Sequence, residues 1–296
     1  RDPSLSAATA KKHRERYAPD AFSCRRPLNV KRPLPLEKKE FMLAIAERIY
    51  DPRLVVFDKD GTLIAFDALW HAWFRRLLEA ILCHLPLDAD ARIGLAATLG
   101  CDLESDVWDP LGPLTLASTG EVELLLASQL YHYGRVSWPQ ALEIVADAKR
   151  EASQVLSQQS LLRPIGDVKG FLSCLRQAGL LLALATTDDR VATEHHLEMM
   201  GIPGLFAAIV CGDDGVPLKP APDMALEICR RVQVAPAKAL MIGDTVADLL
   251  MARRAGYLAA IGVTSGAMPA ELLAPVADAV IADIHHIAIV PNQREA

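Results

Sequence analysis

The sequence predicts an α/β protein: a three-layer, Rossmann-like core around a parallel sheet, with an all-helical domain inserted into it. Three observations carry this. After Pro164, short apolar runs alternate with amphipathic stretches of helical length, the pattern of helices crossing between parallel strands. Polar residues follow strand after strand at the carboxyl end, the edge where open parallel sheets bind ligands. Between residues 66 and 163 the apolar spacing is helical throughout, and no strand is evident.

Taken in chain order, residues 1–50 are expected to form a basic, poorly ordered arm. They hold twelve Lys/Arg and six Asp/Glu, a net of +6 in a chain whose total is −6. Pro27, Pro33 and Pro35 interrupt any periodicity. Such a segment reads as a solvated tail before it reads as a docking arm, and the five acidic residues before Phe41 weigh against a transit peptide. At its end, Phe41–Tyr50 predicts one short helix. Leu54–Phe57 is a continuous apolar run ending in Asp58, as in a buried parallel strand. The insert, residues 66–163, holds helices over Leu69–Leu85, Val122–Tyr133 and Pro139–Leu156, the last with proline at its first position.

The core comprises residues 51–65 and 164–296. Its second part begins with a helix over Asp167–Gln177, stopped by Gly179. A strand over Leu180–Ala185 leads to a helix over Arg190–Met200, then a strand over Ala207–Cys211. A helix over Pro222–Val232 precedes the strand Ala239–Ile242, and a helix over Val246–Ala255 stops at Gly256. Leu258–Val263 and Ala279–Ile281 are the last expected strands.

Bulk properties exclude several classes. The chain has 296 residues, 51% hydrophobic and 23% charged, enough for a large core and unlike a disordered polymer. A net charge of −6 gives no overall attraction for nucleic acid or an anionic membrane. No apolar run reaches the roughly 18 residues of a membrane span. Cys24, Cys83, Cys101, Cys174, Cys211 and Cys229 form no C-x-x-C pair and no zinc-ligand spacing; they read as mostly buried, reduced thiols. That favours a cytoplasmic location. The chain begins with Arg rather than Met, so a fragment or processed product is expected and organellar targeting stays open.

Four polar clusters follow four expected strands: Asp58-Lys59-Asp60-Gly61-Thr62-Leu63, Thr186, Lys219, and Gly243-Asp244-Thr245-Val246-Ala247-Asp248. Together they suit phosphoryl transfer to a carboxylate. A phosphomonoester dianion repels such a nucleophile, so a divalent metal must neutralise charge between them. Magnesium (Mg2+) suits hard carboxylate oxygens. Asp58 can attack and ligate, and Asp244 can provide a second ligand. Asp248, one helical turn on, can support the metal or orient Lys219. Thr186 and Lys219 can hold phosphoryl oxygens. Asp60 can protonate the leaving alkoxide and then activate water. Gly61 allows the tight turn, and Thr62 can fix Asp60 by a local hydrogen bond.

These residues resemble the four motifs of the haloacid-dehalogenase-like hydrolase superfamily. Asp58–Leu63 matches motif one, Thr186 motif two (with Thr187 the competing choice), Lys219 motif three, and Asp244 with Asp248 motif four. Lys59 falls at a variable position. The resemblance spans about Leu54 to Val263. It implies a phosphatase or phosphomutase, because an acid stands two residues after the nucleophile. It also implies a metal held by Asp58, Asp244 and the backbone carbonyl of Asp60. The position of the insert resembles the helical cap of phosphoglycolate-phosphatase-like and β-phosphoglucomutase-like members. The expected partner is a small phosphorylated substrate, with a homodimer possible. A phosphomutase is the rival within the fold, and a non-catalytic protein acting through the basic arm is the rival from another class.

The remaining polar and aromatic residues have plainer expectations. Trp70, His71, Trp73 and Phe74 read as packing before they read as a substrate entrance. His195, His196, His285 and His286 read as solvated or structural. Asp188 and Asp189 are expected to open the following helix as cap and first-turn acids, and Asp213 and Asp214 to lie in a solvated loop.

Overall fold

The computed structural model describes residues 41–292, apart from residues 106 and 159. Most of the arm expected over residues 1–50, and Cys24 with it, lie outside the described residues. The part of the arm that is described, Phe41–Tyr50, is not a helix. It forms two antiparallel strands, β1 (Phe41–Ile45) and β2 (Arg48–Tyr50), joined by a tight turn with Ala46 at φ 51°. The reason is tertiary. Leu43 and Ile45, two residues apart, point into the core, a strand period. The open edge of β1 pairs antiparallel with β11 (Ile287–Pro291), a partner no local window contains.

β3 (Leu54–Phe57) starts the main sheet and is wholly buried. The helix Phe66–His84 follows, then the helix Ala89–Thr98, capped by Asp88. A two-stranded ribbon, β4 (Cys101–Asp102) and β5 (Val107–Trp108), comes next. It corrects the expectation of an insert without strands; two residues per strand are too few to show a period. The helices Thr119–Tyr133 and Trp138–Leu156 complete the insert and pack on each other; Trp138–Leu156 also packs on Phe66–His84, and Thr119–Tyr133 on Ala89–Thr98. Ser118 and Glu121 exchange hydrogen bonds as a capping box at the start of Thr119–Tyr133.

After the helix Val168–Gln177 the chain alternates. β6 (Leu181–Ala185), the helix Arg190–Met199 and β7 (Ala208–Val210) are followed by the helix Asp223–Val232, β8 (Ala239–Gly243), the helix Val246–Ala255, β9 (Ala259–Val263) and β10 (Ala279–Ile281). The sheet order is β10-β9-β8-β3-β6-β7, all parallel. β3 lies between β6 and β8, so the chain leaves it first to one side and later to the other. That is a topological switch point, where a crevice opens beyond the carboxyl ends of the strands. Register is exact enough to matter there: Phe57 pairs with both Leu184 and Ile242, so Asp58, Thr186 and Asp244 emerge at one edge.

Two apolar clusters sandwich the sheet. One joins Val55 and Phe57 to Leu43, Ile45, Trp73, Phe74 and Leu172, running without a break into the insert; the other gathers Leu54, Val56, Met224, Met241 and Leu249. Alternate β3 residues thus feed opposite faces, which fixes its register. Ile45 is fully buried between the small sheet and the core. Ile45→Ala is expected to lower unfolding free energy by about 2–4 kcal/mol in urea titrations; a change under about 0.5 kcal/mol would show that the β1–β11 layer contributes little.

Candidate active site

Asp58 leaves β3 with its N–H donating to the Ile242 carbonyl at 2.9 Å. The chain then turns sharply, with Gly61 at φ 81°. A side chain at Gly61 would bring its Cβ within 2.2 Å of Asp244 Oδ2, so glycine is needed there for space as well as for conformation.

Lys219, buried, donates from Nζ to Asp58 Oδ1 at 2.5 Å and pairs with Asp248 Oδ1 at 2.6 Å. Asp248 is fixed in turn at the start of the helix Val246–Ala255: its Oδ2 accepts from Thr245 Oγ1 at 2.6 Å and from Thr245 N–H at 3.1 Å. Asp244 Oδ2 accepts from Ala267 N–H at 2.8 Å. Thr62 reaches Asp244 Oδ1 at 3.5 Å rather than Asp60. Thr186 is buried, and its Oγ1 accepts from Asp188 N–H at 3.2 Å, while Thr187 lines the cleft beside it.

The electrostatics follow from burial. Burial raises the Asp58 carboxyl to about 7, Lys219 opposes that, and Asp248 and Asp60 add to it. Burial also holds Asp244 well above the usual carboxylate range, with Asp58 and Asp248 adding repulsion. Burial disfavours the Lys219 ammonium, but Asp248 and Asp58 outweigh it and keep its pKa above the ordinary value. One lysine cannot neutralise three such carboxylates. Asp58, Asp244 and Asp248 each offer an oxygen within 4.8 Å of the others, and the excess negative charge in a buried place fits a divalent cation. Asp248 already meets Lys219 and Thr245, so Asp58 and Asp244 are the better placed donors.

The structure therefore gathers Asp58, Thr186, Lys219, Asp244 and Asp248. Asp60 lies on the same turn, with its own set of partners. Lys59, at a position sequence reasoning passed over, is fully buried; its Nζ sits 2.7 Å from Asp60 Oδ2, 2.9 Å from Asp188 Oδ2 and 3.1 Å from His196 Nδ1. Asp188 is thus a buried ion-pair partner and not a helix cap. Asp189 accepts from Thr119 Oγ1 at 2.7 Å and pairs with Lys149 at 3.0 Å, both in the insert. The N-terminus of the helix Arg190–Met199 is served instead by Asp213, which accepts from Arg190 N–H at 2.9 Å. Asp214 pairs with the Arg190 guanidinium at 2.5 Å. Both lie in the loop after β7, as expected, with Asp213 exposed and Asp214 half-buried.

His196 is likewise buried, and its helix spacing shows why. Thr193, His196 and Leu197 form the buried stripe of their helix, the last two lying three and four residues after the first and so on its face. His285 and His286 stay exposed, one against the Ile165 carbonyl and one against Asp283. The aromatics divide. Trp70 and Trp73 line the cleft with Asp60, Thr119, Thr187 and Asp244, whereas His71 and Phe74 pack on Trp108. The loop after β9 was missed, although polar residues at the end of a strand mark it. Ser265 Oγ donates to the Gly61 carbonyl at 2.8 Å, and a Cβ at Gly266 would come within 2.0 Å of Asp244 Oδ2.

Comparison with known proteins bears on this arrangement. The model of the haloacid dehalogenase-like hydrolase family matches residues 52–256. The chain belongs to that family. The probable phosphatase IndB of Dickeya dadantii is 32% identical over 231 residues, 78% of this chain and 89% of that one. A phosphoglycolate phosphatase of Agrobacterium fabrum is 33% identical over 121 residues, 41% of this chain and 52% of that one. Among solved structures, a predicted phosphoglycolate phosphatase from Haemophilus somnus superposes with a TM-score of 0.61 at 18% identity, covering 79% of this chain and 95% of its own. A β-phosphoglucomutase from Clostridium difficile gives 0.56 at 15%, covering 78% and 91%. These two show a shared fold. The chain is a hydrolase of this family, and no helix among its described residues is long and apolar enough to cross a membrane.

Burial, and then the Lys59 ammonium, hold His196 neutral, lowering its pKa from 6.5 to about 4. A base depressed in the folded state stabilises above its unfolded pKa and loses that stability as pH falls through the folded one. Unfolding free energy is therefore expected to drop more steeply between pH 6.5 and about 4 in the wild type than in His196→Gln. Urea titrations at several pH values measure this; equal slopes would contradict a buried neutral imidazole.

Proposed function

We propose that this hydrolase is a magnesium-dependent phosphatase that cleaves a small phosphomonoester through an aspartyl-phosphate on Asp58. The observation that carries the reading is the Lys219 bridge, which joins Asp58 at 2.5 Å to Asp248 at 2.6 Å beside Asp244. A lysine so placed orients the nucleophile and offers positive charge to an incoming phosphoryl group.

Asp58 attacks phosphorus as the ester P–O bond breaks. Asp60 delivers a proton to the departing oxygen, then takes one from the water that attacks the aspartyl-phosphate, releasing phosphate and restoring Asp58. Thr186 and Lys219 hold the phosphoryl oxygens. Magnesium held by Asp58 and Asp244, with the Asp60 backbone carbonyl as the family resemblance implies, supplies neutralisation of the charge that nucleophile and substrate share. Asp248 keeps Lys219 in place.

The cleft supports an uncharged leaving group. Its lining is aromatic, aliphatic, hydroxyl-bearing and acidic, and includes no lysine, arginine or histidine among the described residues. Trp70 and Trp73, both on that lining, have buried indole N–H groups without a partner among the described residues. Such donors can meet an oxygen or nitrogen acceptor on the substrate. The insert supplies these residues, as expected of a cap that selects substrate.

Phosphate release from a panel of small phosphomonoesters tests the reading. Release should cease with EDTA, return with magnesium, and fall at least about a thousandfold in Asp58→Asn. Esters with neutral leaving groups should exceed phosphoglycolate in kcat/KM. Release that persists in Asp58→Asn would remove the nucleophile assignment, and isomerisation of a sugar phosphate without release would favour a mutase.

A further inference from the structure

The Lys59 ammonium has three N–H donors, and three acceptors surround it: Asp60 Oδ2 at 2.7 Å, Asp188 Oδ2 at 2.9 Å and His196 Nδ1 at 3.1 Å. The histidine's role is fixed by its other nitrogen. Nε2 lies 2.9 Å from the Leu156 carbonyl, which can only accept, so Nε2 carries the hydrogen and Nδ1 is free to accept from Lys59. Every donor of the ammonium is thereby used, and its side chain is fully buried. An ammonium so enclosed cannot swing to another partner.

The consequence falls on Asp60. One of its oxygens, Oδ2, is held by Lys59; the other, Oδ1, is buried and has no partner among the described residues. Asp60 also lines the cleft. We infer that Lys59 is the positioning residue for Asp60: it pins Oδ2 so that Oδ1 faces the leaving oxygen of the substrate. This rests on the phosphatase reading above. In the step concerned, the Oδ1 proton passes to the departing oxygen as the ester P–O bond breaks and the Asp58–phosphorus bond forms, leaving Asp60 as the carboxylate that Lys59 stabilises. Asp188 completes the device. It shares the ammonium with Asp60 from the loop after β6, so two carboxylates that would repel each other are set in one geometry by a single cation.

The role separates from a merely structural one by leaving-group chemistry. Phenyl phosphate and p-nitrophenyl phosphate are close in shape, but phenolate is the more basic leaving group and needs its proton more. Lys59→Met should lower kcat/KM for phenyl phosphate, which reports the step in which the leaving group departs, at least about tenfold more than for p-nitrophenyl phosphate. Equal loss on the two esters, or no loss, overturns the inference. Where Lys59→Met does not fold, Lys59→Met/Asp188→Asn removes one carboxylate charge along with the ammonium and serves in its place. A crystal structure of the folding variant gives a readout independent of turnover: an Asp60 carboxylate that keeps its rotamer also overturns the inference. Failure of the phosphatase reading looks different, since Asp58→Asn would then release phosphate as the wild type does, or the wild type would release none.

Discussion

Carboxylates buried at the carboxyl edge of a parallel sheet are the constraint on which this structure depends. Asp58, Asp188, Asp244 and Asp248 are all nearly inaccessible to solvent. An uncompensated carboxylate there is costly, and removing one partner of a buried pair typically costs about 3–5 kcal/mol. The fold meets the constraint with two buried lysines on two separate branches. Lys219 serves Asp58 and Asp248; Lys59 serves Asp60 and Asp188. The branch around Asp244 keeps an excess of negative charge, and its only strong donor among the described residues is the Ala267 N–H. That imbalance gives a cation a reason to bind there.

The architecture is what lets so much charge sit together. Because β3 occupies the switch point between β6 and β8, the ends of three adjacent strands deliver their side chains to one crevice. The rigid sheet fixes the positions, and the loops supply the chemistry. The insert covers the crevice and contributes Trp70, Trp73 and Thr119 to its walls. It is tied back to the loop after β6 through Asp189, which meets both Thr119 and Lys149. The walls of the crevice and the cluster around Lys59 thus meet at two neighbouring aspartates, one facing each way.

Much of this was legible in the sequence, for a definite reason. A buried parallel strand writes itself as a short apolar run, and the first polar residue after it stands at the carboxyl edge of the sheet; Asp58, Thr186 and Asp244 obey that rule. The same rule applied after Val263 stops at Thr264, one residue short of Ser265, which donates to the Gly61 carbonyl. The illegible parts depended on distant partners. Phe41–Tyr50 became strands because β11 pairs with β1. Thr62 turned to Asp244 because of a close approach set by Gly61. Lys59 falls at a variable position of its motif and lysine seldom enters a core; only the convergence of Asp60, Asp188 and His196 makes its burial possible. His196 was within reach of sequence reasoning, because its spacing from Thr193 and Leu197 marks the inner face of its helix.

The pairing of β1 with β11 has a consequence for how the protein is made. Synthesis runs from one end, so β1 leaves the ribosome more than two hundred residues ahead of the strand that completes its sheet. Until then β1 and β2 are an isolated hairpin, too small to be stable alone, with an apolar strand edge open to other chains. β3 waits in the same way for both its neighbours. Between those points the nascent chain carries unpaired strand edges, the kind of surface that aggregates or that chaperones shield.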